Sequence, residues 1–197
     1  MTQTTPKQGP DAPRLTPGVF SSRSDEWYTP KPLVEALAKR YTGGRGFALD
    51  VAATRQSRVC PAYYDITRDA LTQDWHRDAC GGVAWMNPPY SLARQFLAKA
   101  AETARAGTPV VGLLPSRTET GWFHDLMLPV AAEVWFIKSR VKFRSPDEIA
   151  AEEGKVGAAF PSVVFLLDGT ARFPRFGTMD TKGTVLLESD MGLEVAS

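Results

Sequence analysis

The chain has 197 residues, 43 % hydrophobic and 23 % charged, which suits one domain with a globular core and excludes global disorder. Lysine plus arginine (23) nearly balance aspartate plus glutamate (22), for a formal net charge of +1, so a polycationic coat is excluded while a local cationic stripe is not. No apolar run approaches the roughly 20 residues of a membrane span. The start, MTQTTPKQGPDAPRL, lacks an apolar signal core and reads as intracellular, and Cys60 and Cys80 make neither a disulfide framework nor a metal site.

Residues 1–24, rich in Thr, Pro, Gln, Ser and Gly, read as a disordered or loosely attached arm. Residues 25–168 read as the compact domain, and 169–197 as a partly ordered C-terminal extension in which TVLLE suits one short strand. Within the domain, Lys31–Tyr41 has apolar residues at helical spacing between entrance prolines and Gly43-Gly44. Phe47–Ala52 (FALDVA) and Val83–Met86 (VAWM) read as buried strands. Ser91–Ala106 is an amphipathic helix that Ser91 can cap and Gly107 stops. Pro109–Leu114 reads as a strand and Thr120–Leu128 as a short helix closed by Pro129. Glu133–Lys138 and Ser162–Leu167 are further strands. Strands apolar on both faces, alternating with helices, predict an α/β fold with a mostly parallel sheet covered on both sides. Ligands of such sheets sit beyond the carboxyl ends of the strands.

Directly after VAWM comes Asn87-Pro88-Pro89-Tyr90. Two prolines fix the backbone and remove two N–H groups, so the Asn87 and Pro88 carbonyls stand without local competitors. The Asn87 side chain adds an acceptor oxygen and Tyr90 an aromatic face. Two acceptors and a stacking ring suit a planar ring carrying an exocyclic amine.

NPPY after a strand resembles the (D/N/S)PP(Y/F/W) signature of S-adenosyl-methionine-dependent amino methyltransferases, which act on adenine N6, cytosine N4 or a protein Gln amide. Further segments extend the likeness. Trp27-Tyr28-Thr29-Pro30 resembles the family's N-terminal cofactor segment. FALDVAAT, with Asp50 and Ala52, resembles its first nucleotide-fold motif, with Ala52 and Ala53 in place of glycines. Asp69-Ala70 resembles the motif whose Asp receives the cofactor adenine amine. Their order, with Asp69-Ala70-Leu71 followed by Trp75 and with Leu113–His124 (LLPSRTETGWFH), is similar to that of the phage-type DNA N6-adenine methyltransferases. The resemblance covers about residues 25–168. It implies a Rossmann-like methyltransferase fold, S-adenosyl-L-methionine as cofactor, and a flipped adenine of DNA, double-stranded, as substrate, in the cytoplasm of a bacterial host. It assigns Asn87, Pro88, Pro89 and Tyr90 to catalysis. It assigns Trp27, Tyr28, Thr29, Pro30, Asp50, Ala52, Asp69, Ala70 and Asn87 to the cofactor, and no metal.

Other readings stand beside these. Only 18 residues separate Asp50 from Asp69, so the second strand–helix unit is expected to be shortened or irregular, with Asp65 a candidate for the cofactor ribose. Asp50 at a strand end equally suits a cap on the following turn. Lys138, Arg140, Lys142 and Arg144 alternate with Ser139, Val141 and Phe143; on one strand they line one face and suit DNA phosphates, with Arg117 as a further contact, or they guard an edge strand. Ser145–Ala159 reads as a mobile loop. His124 reads as a helix-face residue, since transfer to an amine needs no imidazole base. Alternative activities are methylation of cytosine N4, RNA adenine or protein Gln, or an inactive DNA-binding module of the same fold. The oligomeric state is not legible.

Overall fold

Pro30 and Pro32 at one end and Gly43, in the left-handed conformation at φ 62°, at the other delimit helix α1, Lys31–Thr42, in this computed structural model. The structure describes residues 28–143, 160–170 and 173–188. The expected N-terminal arm, Trp27, Arg144 and the expected loop Ser145–Ala159 lie outside them.

Among the described residues seven strands follow: β1 Leu49–Asp50, β2 Ala84–Met86, β3 Val110–Pro115, β4 Ala131–Ile137, β5 Ser162–Leu167, β6 Arg175–Met179 and β7 Val185–Glu188. They form one sheet in the order β1-β2-β3-β5-β4-β6-β7. Between them lie the short helix α2, Trp75–Asp78, the helix α3, Ala93–Arg105, and a π-helical turn, Phe123–Met127. Helices cover both faces. On one, α3 and the π turn bury Phe96, Leu97, Ala100, Phe123 and Met127 against Met86, Val110 and Phe165. On the other, Leu33 and Leu37 of α1 pack on Trp85, Val111, Trp135 and Val164. The period-two alternation of inward residues along β3 is therefore buried twice, as its apolar sequence demands.

The sheet is mixed rather than mostly parallel by pairing. β1, β2, β3, β4 and β6 run one way, but β5 is inserted antiparallel between β3 and β4, and β7 turns back on β6. Direction depends on where a connection returns, and residues 138–161 carry no crossover-helix pattern, so β5 re-enters the sheet from the end at which β4 leaves it. Gly112 on β3 makes this insertion possible: a Cβ there would lie 2.1 Å from the Phe165 ring of β5.

Several boundaries move. The expected strand Phe47–Ala52 contracts to Leu49–Asp50, because beyond Val51, whose N–H still donates to the Trp85 carbonyl at 3.0 Å, the chain turns away into the loop described below. α3 starts at Ala93 without a side-chain cap; Ser91 lies in a 3-10 turn, Tyr90–Leu92, set by the prolines before it. The expected strand Glu133–Lys138 ends at Ile137. Ser139, at φ 75°, then breaks the alternation, so Lys138 does not share a strand face with Arg140 and Lys142. Val141 and Phe143 are buried while Arg140 and Lys142 are exposed, so the alternation resumes after the break in extended chain. Residue 168 falls between β5 and β6 of one sheet, with β6 seated in parallel on β4. Among the described residues no helix is long and apolar enough to cross a membrane.

The interval between Asp50 and Asp69 contains no helix. Residues 55–57 make one turn, and the chain returns to pair with β1 over a single parallel bridge, Asp50 to Tyr63. The Asp50 N–H donates to the Ala62 carbonyl and the Tyr64 N–H to the Asp50 carbonyl, both at 2.9 Å. The shortened second unit expected from the spacing takes this form.

Candidate active site

The parallel direction of β1, β2, β3 and β4 brings Asp50, Asn87, Ser116 and Lys138 to one edge of the sheet, the carboxyl edge. A cavity of about 450 Å³ opens there, within the range of small-molecule sites. Its walls come from Tyr28, the loop after β1 (Val51–Arg55 and Ser57), the returning segment Tyr64–Ile66, the Asp69–Leu71 turn, Asn87 and Pro89, and Leu92 and Phe96.

Asn87 joins the separate segments. Its Nδ2 donates to Thr29 Oγ1 at 3.0 Å, 58 residues away in sequence, and its Oδ1 accepts from the Tyr90 hydroxyl at 3.3 Å. The 3-10 turn that follows uses the Pro89 and Tyr90 carbonyls and not that of Pro88. The Tyr90 ring meets Phe160 edge-on, with centroids 5.1 Å apart and planes at 86°. Burial pushes the Tyr90 phenol far above its usual range, so it stays a neutral donor. Pro30 is the N-cap residue of α1, so Thr29 lies one residue ahead of the cap, beside Asn87.

Asp50 does not line the cavity. Its Oδ1 accepts from the Ala52 N–H at 3.2 Å and its Oδ2 from the Val59 N–H at 3.0 Å, so the carboxylate caps its own loop. The loop needs no glycine, because neither Ala52 nor Ala53 adopts a positive φ. Burial raises the Asp50 carboxyl from an ordinary 3.8 to about 7, with the two N–H donors opposing the shift. The folded protein thus holds this proton more tightly than the unfolded chain. Its contribution is complete below about pH 4 and is lost as pH rises through about 7, a decline on the order of at most 4 kcal/mol. Asp50→Asn removes that titration, and Asn cannot accept from both N–H groups. The variant is expected to be less stable at pH 5 but flatter between pH 4 and 8, as urea unfolding across that range will read; parallel pH curves would refute this.

Asp69 caps the 3-10 turn Ala70–Thr72, its Oδ1 accepting from the Leu71 N–H at 3.0 Å, and lines the cavity with Ala70. Trp75, fully buried, donates its indole N–H to the Ala70 carbonyl at 2.7 Å and so fixes that wall. Asp65 also lines the cavity; hydrogen bonds from the Thr67 hydroxyl and N–H hold its carboxyl below the usual range. Sequence reasoning missed Tyr64, Ile66 and Arg55. Ile66 is 99 % exposed at the cavity rim, and the signal was a lone isoleucine between Asp65 and Thr67. Tyr64 is held from behind: its hydroxyl donates to Asp78 at 2.8 Å, and Arg68 lies over its ring while bridging the same carboxylate.

Arg117 is exposed in the turn after β3, and Lys138, Arg140 and Lys142 are exposed beyond β4, on the same sheet edge as Asn87. His124 donates from Nε2 to the Thr118 carbonyl at 2.7 Å, a structural tie within the Arg117–Thr120 turn. Among the described residues no cluster of three or more His, Cys, Asp or Glu is placed to hold a metal ion.

An α/β sheet with a ligand-sized cavity at its carboxyl edge, and an Asn-Pro-Pro-Tyr loop beside that cavity, is the arrangement of a small-molecule-binding α/β protein. Residues 18–183 match the family model for DNA N-6-adenine-methyltransferase (Dam), and the chain belongs to that family. It is 32 % identical over 111 residues to the DNA N-6-adenine-methyltransferase of Escherichia phage T1, across 56 % of this chain and 44 % of that protein. It is also 32 % identical over 124 residues to the DNA N-6-adenine-methyltransferase of Haemophilus phage HP1, strain HP1c1, across 62 % of this chain and 68 % of that one. The chain therefore spans less than half of the first relative and about two thirds of the second. No solved structure matches it significantly.

Proposed function

We propose that this chain transfers a methyl group from S-adenosyl-L-methionine to N6 of an adenine flipped out of double-stranded DNA, on a Rossmann-like methyltransferase fold. The observation that carries the reading is the meeting of Thr29, Asn87 and Tyr90 beside a cavity lined by Asp65 and Asp69. The donor set fits the cofactor. Asp69 offers an acceptor for the adenine amine, Asp65 acceptors for ribose hydroxyls, and Ile66, Leu71 and Val51 apolar cover for a flat ring. Tyr28 and the Thr29-Pro30 pair are assigned to its methionine part, with Ala52, Ala70 and Asn87 as neighbours; Asp50 acts on the cofactor through the loop it caps.

When bound, S-adenosyl-L-methionine supplies an electrophilic methyl on a sulfonium. Asn87 Oδ1 and the Pro88 carbonyl accept the two hydrogens of the adenine amine, which localises the nitrogen lone pair and orients it for in-line attack. Pro88 and Pro89 hold those acceptors rigid. Positive charge grows on N6 as the bond forms, and preorganised acceptors stabilise it, each worth roughly 3–4 kcal/mol. The Tyr90 face stacks on the flipped base and offsets part of the few kcal/mol that flipping costs. The proton leaves after transfer, so no base of low pKa is needed.

Arg117, Lys138, Arg140, Lys142 and Arg144 are proposed to meet DNA phosphates. The combined variant Lys138→Ala, Lys142→Ala is expected to weaken DNA binding several-fold and lower the slope of log affinity against log salt by about 2, with cofactor affinity unchanged. Fluorescence anisotropy over a salt series reads both quantities, and an unaltered slope would remove these lysines from the interface.

The decisive experiment is mass analysis of nucleosides from bacterial DNA after expression of the chain in the cytoplasm of a host. In a host without adenine methylation of its own, N6-methyl-2′-deoxyadenosine is expected; N4-methyl-2′-deoxycytidine alone, or unmodified DNA, would refute the reading.

A further inference from the structure

We infer that Arg55 binds the carboxylate of the amino-acid tail of the methyl donor, which makes it a selectivity residue against ligands that carry only the nucleoside; this rests on the cofactor reading above. Three observations lead there. First, Arg55 lines the cavity and has no hydrogen-bond or ion-pair partner among the described residues. Its neighbour Arg58 is engaged, lying over the Tyr63 ring at 5.1 Å.

Second, the turn that carries Arg55 is built rigidly. The Thr54 N–H donates to Ser57 Oγ at 2.8 Å, the Ser57 and Gln56 N–H groups donate to Thr54 Oγ1 at 3.2 and 3.3 Å, and the Arg58 N–H donates to the Thr54 carbonyl at 3.1 Å. Asp50 secures the loop on both sides of this turn, at Ala52 and Val59. Tyr28 Oη lies 3.5 Å from Thr54 Oγ1, and Thr29 is bonded to Asn87, so the turn abuts the segment that adjoins the reactive loop. The cation is presented by a fixed backbone rather than by a floppy loop.

Third, the charges of the wall are complementary to the ligand. Among the described residues its basic and acidic lining side chains are one guanidinium, Arg55, and two carboxyls, Asp65 and Asp69. The methyl donor is the reverse: two cationic groups, sulfonium and ammonium, and one carboxylate. A guanidinium offers that carboxylate two parallel N–H donors. Among the described residues no other arginine, lysine or histidine lines the cavity.

The test compares two probes by titration calorimetry: S-adenosylhomocysteine, which keeps the amino-acid tail, and 5′-methylthioadenosine, which lacks it. In Arg55→Gln the affinity for S-adenosylhomocysteine is expected to fall by about 10- to 100-fold, while that for 5′-methylthioadenosine stays within about twofold. Arg55→Lys is expected to recover part of the loss by retaining charge without the fork. An unchanged affinity for S-adenosylhomocysteine overturns the assignment, and so does an equal loss for both probes, which would mean that Arg55 only supports the turn. A fall in DNA affinity with both probes unaffected overturns it in favour of a phosphate contact. A wild-type chain that binds neither probe overturns the cofactor reading itself and this inference with it.

Discussion

Asn87→Ala is expected to lower methyl transfer by about 10²- to 10³-fold, the usual effect of deleting one preorganised polar group aimed at developing charge. The structure separates two tasks of this side chain. Oδ1 accepts from the Tyr90 hydroxyl, whereas Nδ2 donates to Thr29. Alanine removes both. The loss of the Thr29 bond loosens the Tyr28–Pro30 segment, so affinity for S-adenosylhomocysteine should also decline, but by less than about tenfold, since one partly exposed hydrogen bond is worth roughly 0.5–1.5 kcal/mol. Thr29→Val deletes only the second task and should reproduce the affinity change with a much smaller loss of turnover. Asn87→Asp keeps an acceptor oxygen and should fall between wild type and alanine. Radiolabelled transfer to DNA, paired with calorimetry, reads both axes. Full turnover by Asn87→Ala would sink the catalytic assignment.

How far the sequence revealed this site depends on the kind of constraint. The position of Asn87 was legible because three signals coincide: an apolar run, two prolines that stop it, and an amphipathic helix beyond. β5 was legible to the residue, since Ser162–Leu167 is apolar without interruption. Its direction was not, because strand direction is a property of the connection and residues 145–161 have no periodicity to read. β6 was hidden for a packing reason. Gly177 looks like a strand breaker, yet it is the site where the Trp135 ring of β4 lies against the neighbouring backbone, and a Cβ there would sit 2.2 Å from that ring. Ser139 hid the opposite way. Nothing in Lys-Ser-Arg-Val-Lys-Phe announces a left-handed serine, so the alternation read as an unbroken strand. Asp50 illustrates a third limit. A strand-end aspartate serves a ligand or its own loop with equal ease, and only the two N–H groups at Ala52 and Val59 decide between them.

Trp75 is where stability and the cavity meet, and its substitution should have the largest effect on folding. The side chain has no exposed surface, packs 6.0 Å from Phe96 of α3 and donates its only polar hydrogen to the Ala70 carbonyl. Trp75→Ala removes the packing and the donor together and is expected to cost roughly 3–5 kcal/mol, visible as a lower urea midpoint at unchanged slope. Trp75→Phe separates them. Most of the ring volume remains, but the Ala70 carbonyl is left with the Gln73 N–H alone, at 3.2 Å, at a cost of about 0.5–1.5 kcal/mol. That carbonyl belongs to the residue after Asp69, on the cavity wall, so Trp75→Phe should also weaken S-adenosylhomocysteine and 5′-methylthioadenosine equally, because both contain the adenine proposed to meet Asp69. Arg55→Gln should discriminate between the same two probes. Opposite ends of one ligand are thus assigned to different walls: the adenine to a turn held from behind by an indole, the carboxylate to a turn held by hydroxyls. If Trp75→Phe lost stability but bound both probes as wild type does, the Asp69 turn would be a part of the fold and not of the adenine site.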